Sequence, residues 1–269
     1  MSAALSQPAL SRPGAPLRPF PHPTHPTQPT AARPDEMAHL HAGAWFAGLS
    51  EPLRHAIVER SRMRQVAAGT TLARRGDRAY DWVGVARGAI RLSTALRDGR
   101  CFTLDFVGPG QWYGDIALFD EKPQDLDVVA HAPTTLLLLP KPELRWLNQE
   151  FEELRDAFMQ LNCQRLRHMF RRFEDLHTLP LGERLARQLL RLAQQFGKAT
   201  TEGTAIDLVV SQGDLAALVG CSRQRANRAW RQLDRLGIVQ LNGNRITVLD
   251  ETQLRAVAEG RIELEGMRD

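Results

Sequence analysis

Cysteine is scarce: Cys101, Cys163 and Cys221 are the only three in 269 residues. They are odd in number, far apart and never in a C-x-x-C arrangement, so neither a disulfide framework nor a thiolate metal site is expected. A reducing, cytoplasmic setting is the expectation. The sequence also lacks any apolar run of the ~18 residues a membrane span requires, and no apolar segment of signal-peptide length stands near residue 1, so no membrane partner is expected. Nucleophile–base pairs, a phosphate loop and ligand-spaced metal clusters are missing as well, which argues against an enzyme. What remains is an ordinary 43% hydrophobic content with a formal net charge of +4 and a pI near 9.3, a balance that permits nucleic acid as a partner.

The texture of the chain changes along its length. Residues 1–36 hold 9 of the 16 prolines and no periodicity, and are expected to be a disordered tail. Residues 37–141 carry short apolar runs such as "WVGVARGAIRLS" and "DVVAHAPTTLLLLP", separated by turn signals at Arg75-Gly-Asp77, Asp98-Gly99 and Gly108-Pro-Gly110. This pattern predicts an antiparallel sandwich or roll. Residues 142–178 become helical, with Leu147, Phe151, Leu154, Phe158 and Leu161 stepping by four and three. The stripe blurs at Gln164 and Arg165 and resumes with Leu166, Met169, Phe170, Phe173 and Leu176 before Pro180. A helix of that length spans on the order of 50 Å at about 1.5 Å per residue. Pairing with a second copy through Phe151, Leu154, Phe158, Leu161 and Met169 is the expected way to cover it, and packing wholly on its own β domain is the alternative.

Residues 179–250 predict a winged helix-turn-helix, and residues 251–269 a C-terminal extension. Ser211-Gln-Gly-Asp214 has the form of a capping box before "LAALVG", Gly220 ends that short helix, and Ser222 caps the next. Asn242-Gly243 then sits between two β-favouring runs, a hairpin signal. On a helix of about 3.6 residues per turn, Arg223, Gln224, Asn227, Arg228 and Arg231 share one face, and Ala226, Ala229, Trp230, Leu233 and Leu236 share the other. Arg, Gln and Asn suit base edges in the major groove of double-stranded DNA. Ser222 and Arg225, at the helix start, suit phosphate. Residues 181–250 contain ten basic and six acidic side chains, so their excess equals the +4 of the whole chain. A solvated basic face used for protein contact is the competing reading, in which the protein is a ligand-binding sensor.

These segments resemble the bacterial family of the catabolite activator protein and the fumarate–nitrate reduction regulator, the Crp/Fnr family, over residues 42–250. "GQWYGDIALFDE", the long helix, "GERLARQLLRLA" and "LAALVGCSRQRANRAWRQLDRLGIV" carry the resemblance. It implies an α+β fold made of a cyclic-nucleotide-binding-type β-roll, a long dimerisation helix and a C-terminal winged helix-turn-helix. It also implies a homodimer on a palindromic site, regulating transcription by contact with RNA polymerase. Ser222 matches a phosphate contact, Arg223 and Arg228 match guanine-reading arginines, and Arg231 matches a basic phosphate contact. Gln224 replaces the family's glutamate, which implies a shifted half-site.

The effector pocket departs from the family pattern. Gly114, Asp115 and Ile116 stand where a ribose-holding glutamate is usual, and Asp125-Leu126 where an Arg-Ser pair holds the cyclic phosphate. An acid there repels a phosphate. Met169 and Phe170 stand where hydroxyls contact adenine. Cyclic AMP is therefore not expected as the effector. Nor is an iron–sulfur cluster, since no cysteine precedes Cys101, or haem, for which His131 and His168 are the available ligands.

Overall fold

The computed structural model describes residues 34–96, 101–242 and 245–264. Of the tail expected over residues 1–36, residues 1–33 lie outside the described residues, as do the Asp98-Gly99 turn and Gly243 of the Asn-Gly turn, whereas residues 34–36 belong to a helix.

Three helices come first, α1 (Pro34–Ala42), α2 (Ala44–Ala47) and α3 (Glu51–Arg60). The expectation of a β domain from residue 37 misses them. A signal was present: Ser50 precedes Glu51-Pro52, and its hydroxyl accepts from the Leu53 amide as an N-cap. Two antiparallel sheets follow. One has β1 (Arg62–Val66), β8 (Thr134–Pro140), β3 (Asp81–Arg87) and β6 (Trp112–Tyr113) in that order. The other has β2 (Thr71–Ala73), β7 (Asp127–Ala130), β4 (Ile90–Ala95) and β5 (Cys101–Val107). Between the sheets pack Val85, Ile90, Val107, Val128, Leu136 and Leu138. On the outer face of the first sheet, Trp82, Ala86, Leu137 and Leu139 meet the helices. Strand β8 is thus buried on both sides, which is why its sequence reads as an unbroken apolar run.

The expected single long helix is broken. Helix α5 (Lys141–Glu150), with Pro142 in its first turn, stops at Phe151, which adopts extended backbone, and α6 runs over Glu152–Thr178. The apolar stripe divides at this level. Leu154 and Phe158 are buried in the chain's own β domain, and Phe151 and Leu161 pack against the same cluster. These four residues, expected to face a second copy, are used internally, because α1–α3 and the tryptophans of the roll supply a cover that the sequence pattern did not announce. Met169 remains exposed, with Leu166, Phe170 and Phe173.

The last domain holds α7 (Leu181–Phe196), α8 (Gln212–Leu218) and α9 (Arg223–Arg235), with a sheet ordered β11 (Val239–Asn242), β12 (Arg245–Val248), β10 (Thr204–Ile206) and β9 (Gly197–Ala199). The polar segment "GKATTEGT" contributes β9 and part of β10, turning through Gly203 at φ +146°. Helix α10 (Glu251–Ala258) buries Leu254 and Val257 in the same core as Leu185 and Leu189 of α7. Of the residues expected as an extension over 251–269, those through 264 therefore complete this domain, and residues 265–269 lie outside the described residues.

Gly220 joins α8 to α9 at φ +66°, and an added Cβ would stand 2.5 Å from Leu176 Cδ2 on α6. Gly220→Ala combines a left-handed strain with that collision, so a loss of about 1–3 kcal/mol is expected in chemical unfolding. An unchanged midpoint would show that the turn relaxes at no cost.

Candidate DNA-reading face and effector pocket

The helix-turn-helix is built as its spacing predicts. Ser211 accepts from the Asp214 amide at 3.0 Å, and the Asp214 carboxylate accepts from the Ser211 amide at 3.3 Å. Ser222 caps α9 by accepting from the Arg225 amide at 3.4 Å. Ala226, Ala229, Trp230 and Leu233 are buried against the domain core, whereas Leu236 is 51% exposed at the helix end, where the helix has already stopped. Arg223, Gln224, Arg228 and Arg231 are exposed, and Asn227 is partly so. Arg225 is half-buried at the edge of the face.

One member of this face was not legible. The Gln212 side-chain oxygen, at the first position of α8, accepts from Arg223 Nε and Nη2 at 3.2 and 3.1 Å and from Asn227 Nδ2 at 3.1 Å. It holds two of the long polar arms in register. Nothing in a wheel drawn on α9 alone points to it.

The reader is docked on the roll. Asp214 accepts from Thr103 Oγ1 of β5 at 2.6 Å and lies 3.8 Å from Arg91 of β4. Burial opposes ionisation of Asp214, but the hydroxyls of Ser211 and Thr103, the Ser211 amide and the Arg91 charge outweigh it and hold the carboxyl below its ordinary value. A carboxyl depressed in the folded state contributes stability that is complete above its unfolded pKa, about 3.9, and fades as pH falls from there through the folded pKa. Thr103→Val is expected to shrink this acid-side loss, read as the difference in unfolding midpoint between neutral pH and about pH 3. A pH dependence identical to that of the parent would sink the assignment.

Asp105 of β5 is a second junction, accepting from Arg172 of α6 at 3.2 Å and from Arg191 of α7 at 3.1 Å. Both histidines noted as potential axial ligands lie at the same boundary. His131 Nε2 is 2.5 Å from the Val209 carbonyl oxygen, and His168 Nε2 is 2.9 Å from Arg191 Nη1.

In the roll, Gly114 takes φ +99° ahead of α4 (Asp115–Phe119). Asp115 points inward and is 1% exposed, Ile116 is exposed, Asp125 is exposed and Leu126 is half-buried. The Asp115 carboxylate is already engaged: Arg165 Nη1 of α6 donates to its two oxygens at 2.6 and 2.8 Å, and Asn162 Nδ2 donates at 3.1 Å. Arg165 Nη2 also donates to the Trp112 carbonyl. Burial, followed by the charges of Asp115 and Asp125, pushes the Tyr113 phenol up to about 12. Trp82 and Trp112 stack with centroids 4.1 Å apart, and Trp45 and Phe158 close on Trp82 at 5.1 and 4.7 Å. The role of Arg165 was not legible in the sequence, although the blurred stripe at 164–165 marked its place: the helix needed a polar arm there.

Comparisons with known proteins accord with this layout. A cyclic nucleotide-binding domain profile matches residues 63–151, and a Crp-like helix-turn-helix domain profile matches residues 183–257. The CRP-like cAMP-activated global transcriptional regulator of Mycobacterium tuberculosis is 28% identical over 181 residues, 66% of this chain and 79% of that protein. A solved Thermus thermophilus transcriptional regulator of the CRP/FNR family superposes with a TM-score of 0.62 at 26% identity, covering 75% of this chain and 100% of that one. The transcriptional regulator SdrP of Thermus thermophilus is 34% identical over 185 residues, 69% of this chain and 86% of its own length. A sensor-type roll joined by a long helix to a capped helix-turn-helix, with that degree of identity, places the chain in the Crp/Fnr family of transcription regulators.

Proposed function

We propose that the protein is a homodimeric, sequence-specific DNA-binding regulator that reads a palindromic site and is not controlled by cyclic AMP. The carrying observation is the α9 face: Arg223, Gln224, Arg228 and Arg231 stand exposed on a helix whose opposite side is fixed in the core. Arg223 and Arg228 have the donor fork that pairs with guanine O6 and N7, and Asn227 and Gln224 the amides that pair with adenine. Ser222, Arg225 and Arg231 flank them toward phosphate. On the effector side, Asp115 is already neutralised by Arg165, and Asp125 opposes a cyclic phosphate. The exposed stripe on α6 supports the second copy, and the cytoplasm and RNA polymerase follow as setting and partner.

Gel shift of genomic fragments tests this reading, and specific retardation that weakens steeply with salt is the expected result. Absence of specific binding to any fragment would sink it, and saturable binding of cyclic AMP in calorimetry would sink the effector half. Arg223→Ala is expected to reduce discrimination at one guanine by about 1–3 kcal/mol. Equal losses on operator and random DNA would reassign Arg223 to phosphate.

A further inference from the structure

A cleft of about 360 Å³ opens between the second half of α6 and α7. Arg171, Arg172, Arg184, Arg187 and Arg191 line it, and Asp175 is the one carboxylate among its lining residues. Asp105 stands behind, shared between Arg172 and Arg191, and Asp175 is bound to Arg187 at 2.7 Å. Five guanidiniums against two carboxylates leave a concentrated excess of positive charge, and charges so confined repel one another unless an anion joins them. Burial first, and Arg191 next, hold His168 among the lining residues below its ordinary pKa, so it adds no positive charge and the excess rests on the arginines alone.

The hydrogen-bond inventory has the same sign. Gln188 lines the cleft at 7% exposure, and its Nε2 is buried without a hydrogen-bond partner while its oxygen accepts from Arg191. A buried N–H left unbonded costs about 1–3 kcal/mol, and the partner it lacks is an oxygen acceptor. Arg171 gives only a 3.4 Å bond from Nε to the Arg167 carbonyl, leaving the end of its fork available.

We propose that this cleft binds a small anion carrying two or more phosphate groups. All of its cationic walls are arginine, with no lysine among the described lining residues, and the planar guanidinium fork matches phosphate oxygens two at a time. The volume falls within the range of about 300–1,000 Å³ typical of small-molecule sites. His168, Arg172 and Asp175 lie about 160° around α6 from Leu166, Phe170 and Phe173, taking about 3.6 residues per turn, so pairing through those three leaves this wall of the cleft uncovered, Leu176 being the lining residue that belongs to both. Leu218 and Val219, directly before the Gly220 turn, also line it. A bound anion therefore bridges the long helix to the helix-turn-helix, which makes this a site for a signal that bypasses the roll. The site does not depend on the DNA-reading assignment.

Titration calorimetry of the full chain with inorganic pyrophosphate, tripolyphosphate and citrate tests the proposal. The expected result is saturable binding of pyrophosphate or tripolyphosphate at one site per chain, weakened about tenfold by Arg171→Ala and abolished by Arg171→Glu, with Arg235→Ala unchanged. Thermal unfolding of each variant establishes that it folds. No saturation below millimolar pyrophosphate or tripolyphosphate overturns the site. Equal weakening by Arg235→Ala overturns it as diffuse charge, and tighter binding of citrate overturns the phosphate assignment. Loss of operator binding with pyrophosphate binding intact would count against the proposed function and leave the cleft standing.

Discussion

Arg165→Met is expected to cost about 3–5 kcal/mol of folding stability, because it strands a carboxylate that the fold has already removed from water. Asp115 is 1% exposed, and Arg165 spans both of its oxygens while Asn162 reaches only one. Without the guanidinium one amide is left to support a buried charge. Urea unfolding measures the effect, a lower midpoint at unchanged slope being the expected form. Adding Asp115→Asn should recover much of the loss, since the charge is then gone and the amide of Asn162 keeps an oxygen to bond. A near-neutral single variant would show that water reaches Asp115. The pair also joins α4 of the roll to α6 within one chain.

Phe170→Glu together with Phe173→Glu is expected to leave a monomer at micromolar concentration. It should also lower operator affinity by about two orders of magnitude or more, because linked readers gain roughly 10²–10⁴ over single ones. Both rings are more than 60% exposed, so the chain keeps its fold while losing the surface a partner would cover. Light scattering after size exclusion, with gel shift on the same samples, reads both effects. A double variant that remains dimeric would move the interface elsewhere.

The helix-turn-helix was the most legible part of the chain because its signals are local. Ser211 with Asp214, Gly220 and Ser222 fix helix starts and stops within a few residues, and the structure keeps each in its role. The apolar stripe of residues 147–161 was legible as a helix but misread as to its partner. Periodicity reports that a face is buried and is silent on what buries it, and here Trp45, Trp82 and the N-terminal helices do so. The links across the chain were out of reach. Arg165 meets Asp115 across fifty residues and Thr103 meets Asp214 across more than one hundred, separations that no window along the sequence samples. The polar gap at 164–165 was the single visible trace.

Asp214 closes the capping box that starts α8 and also receives the Thr103 hydroxyl from the roll. One carboxylate thus serves the folding of the reader and its docking, and neither can drift without the other registering the change. Across relatives, positions 103, 211 and 214 are expected to vary together: a chain that replaces the acid should surrender the hydroxyl on β5 and start α8 by another device. Diversification of the reader is to that extent tied to the history of the sensor, and a reader transplanted onto a foreign roll should carry its partner strand with it.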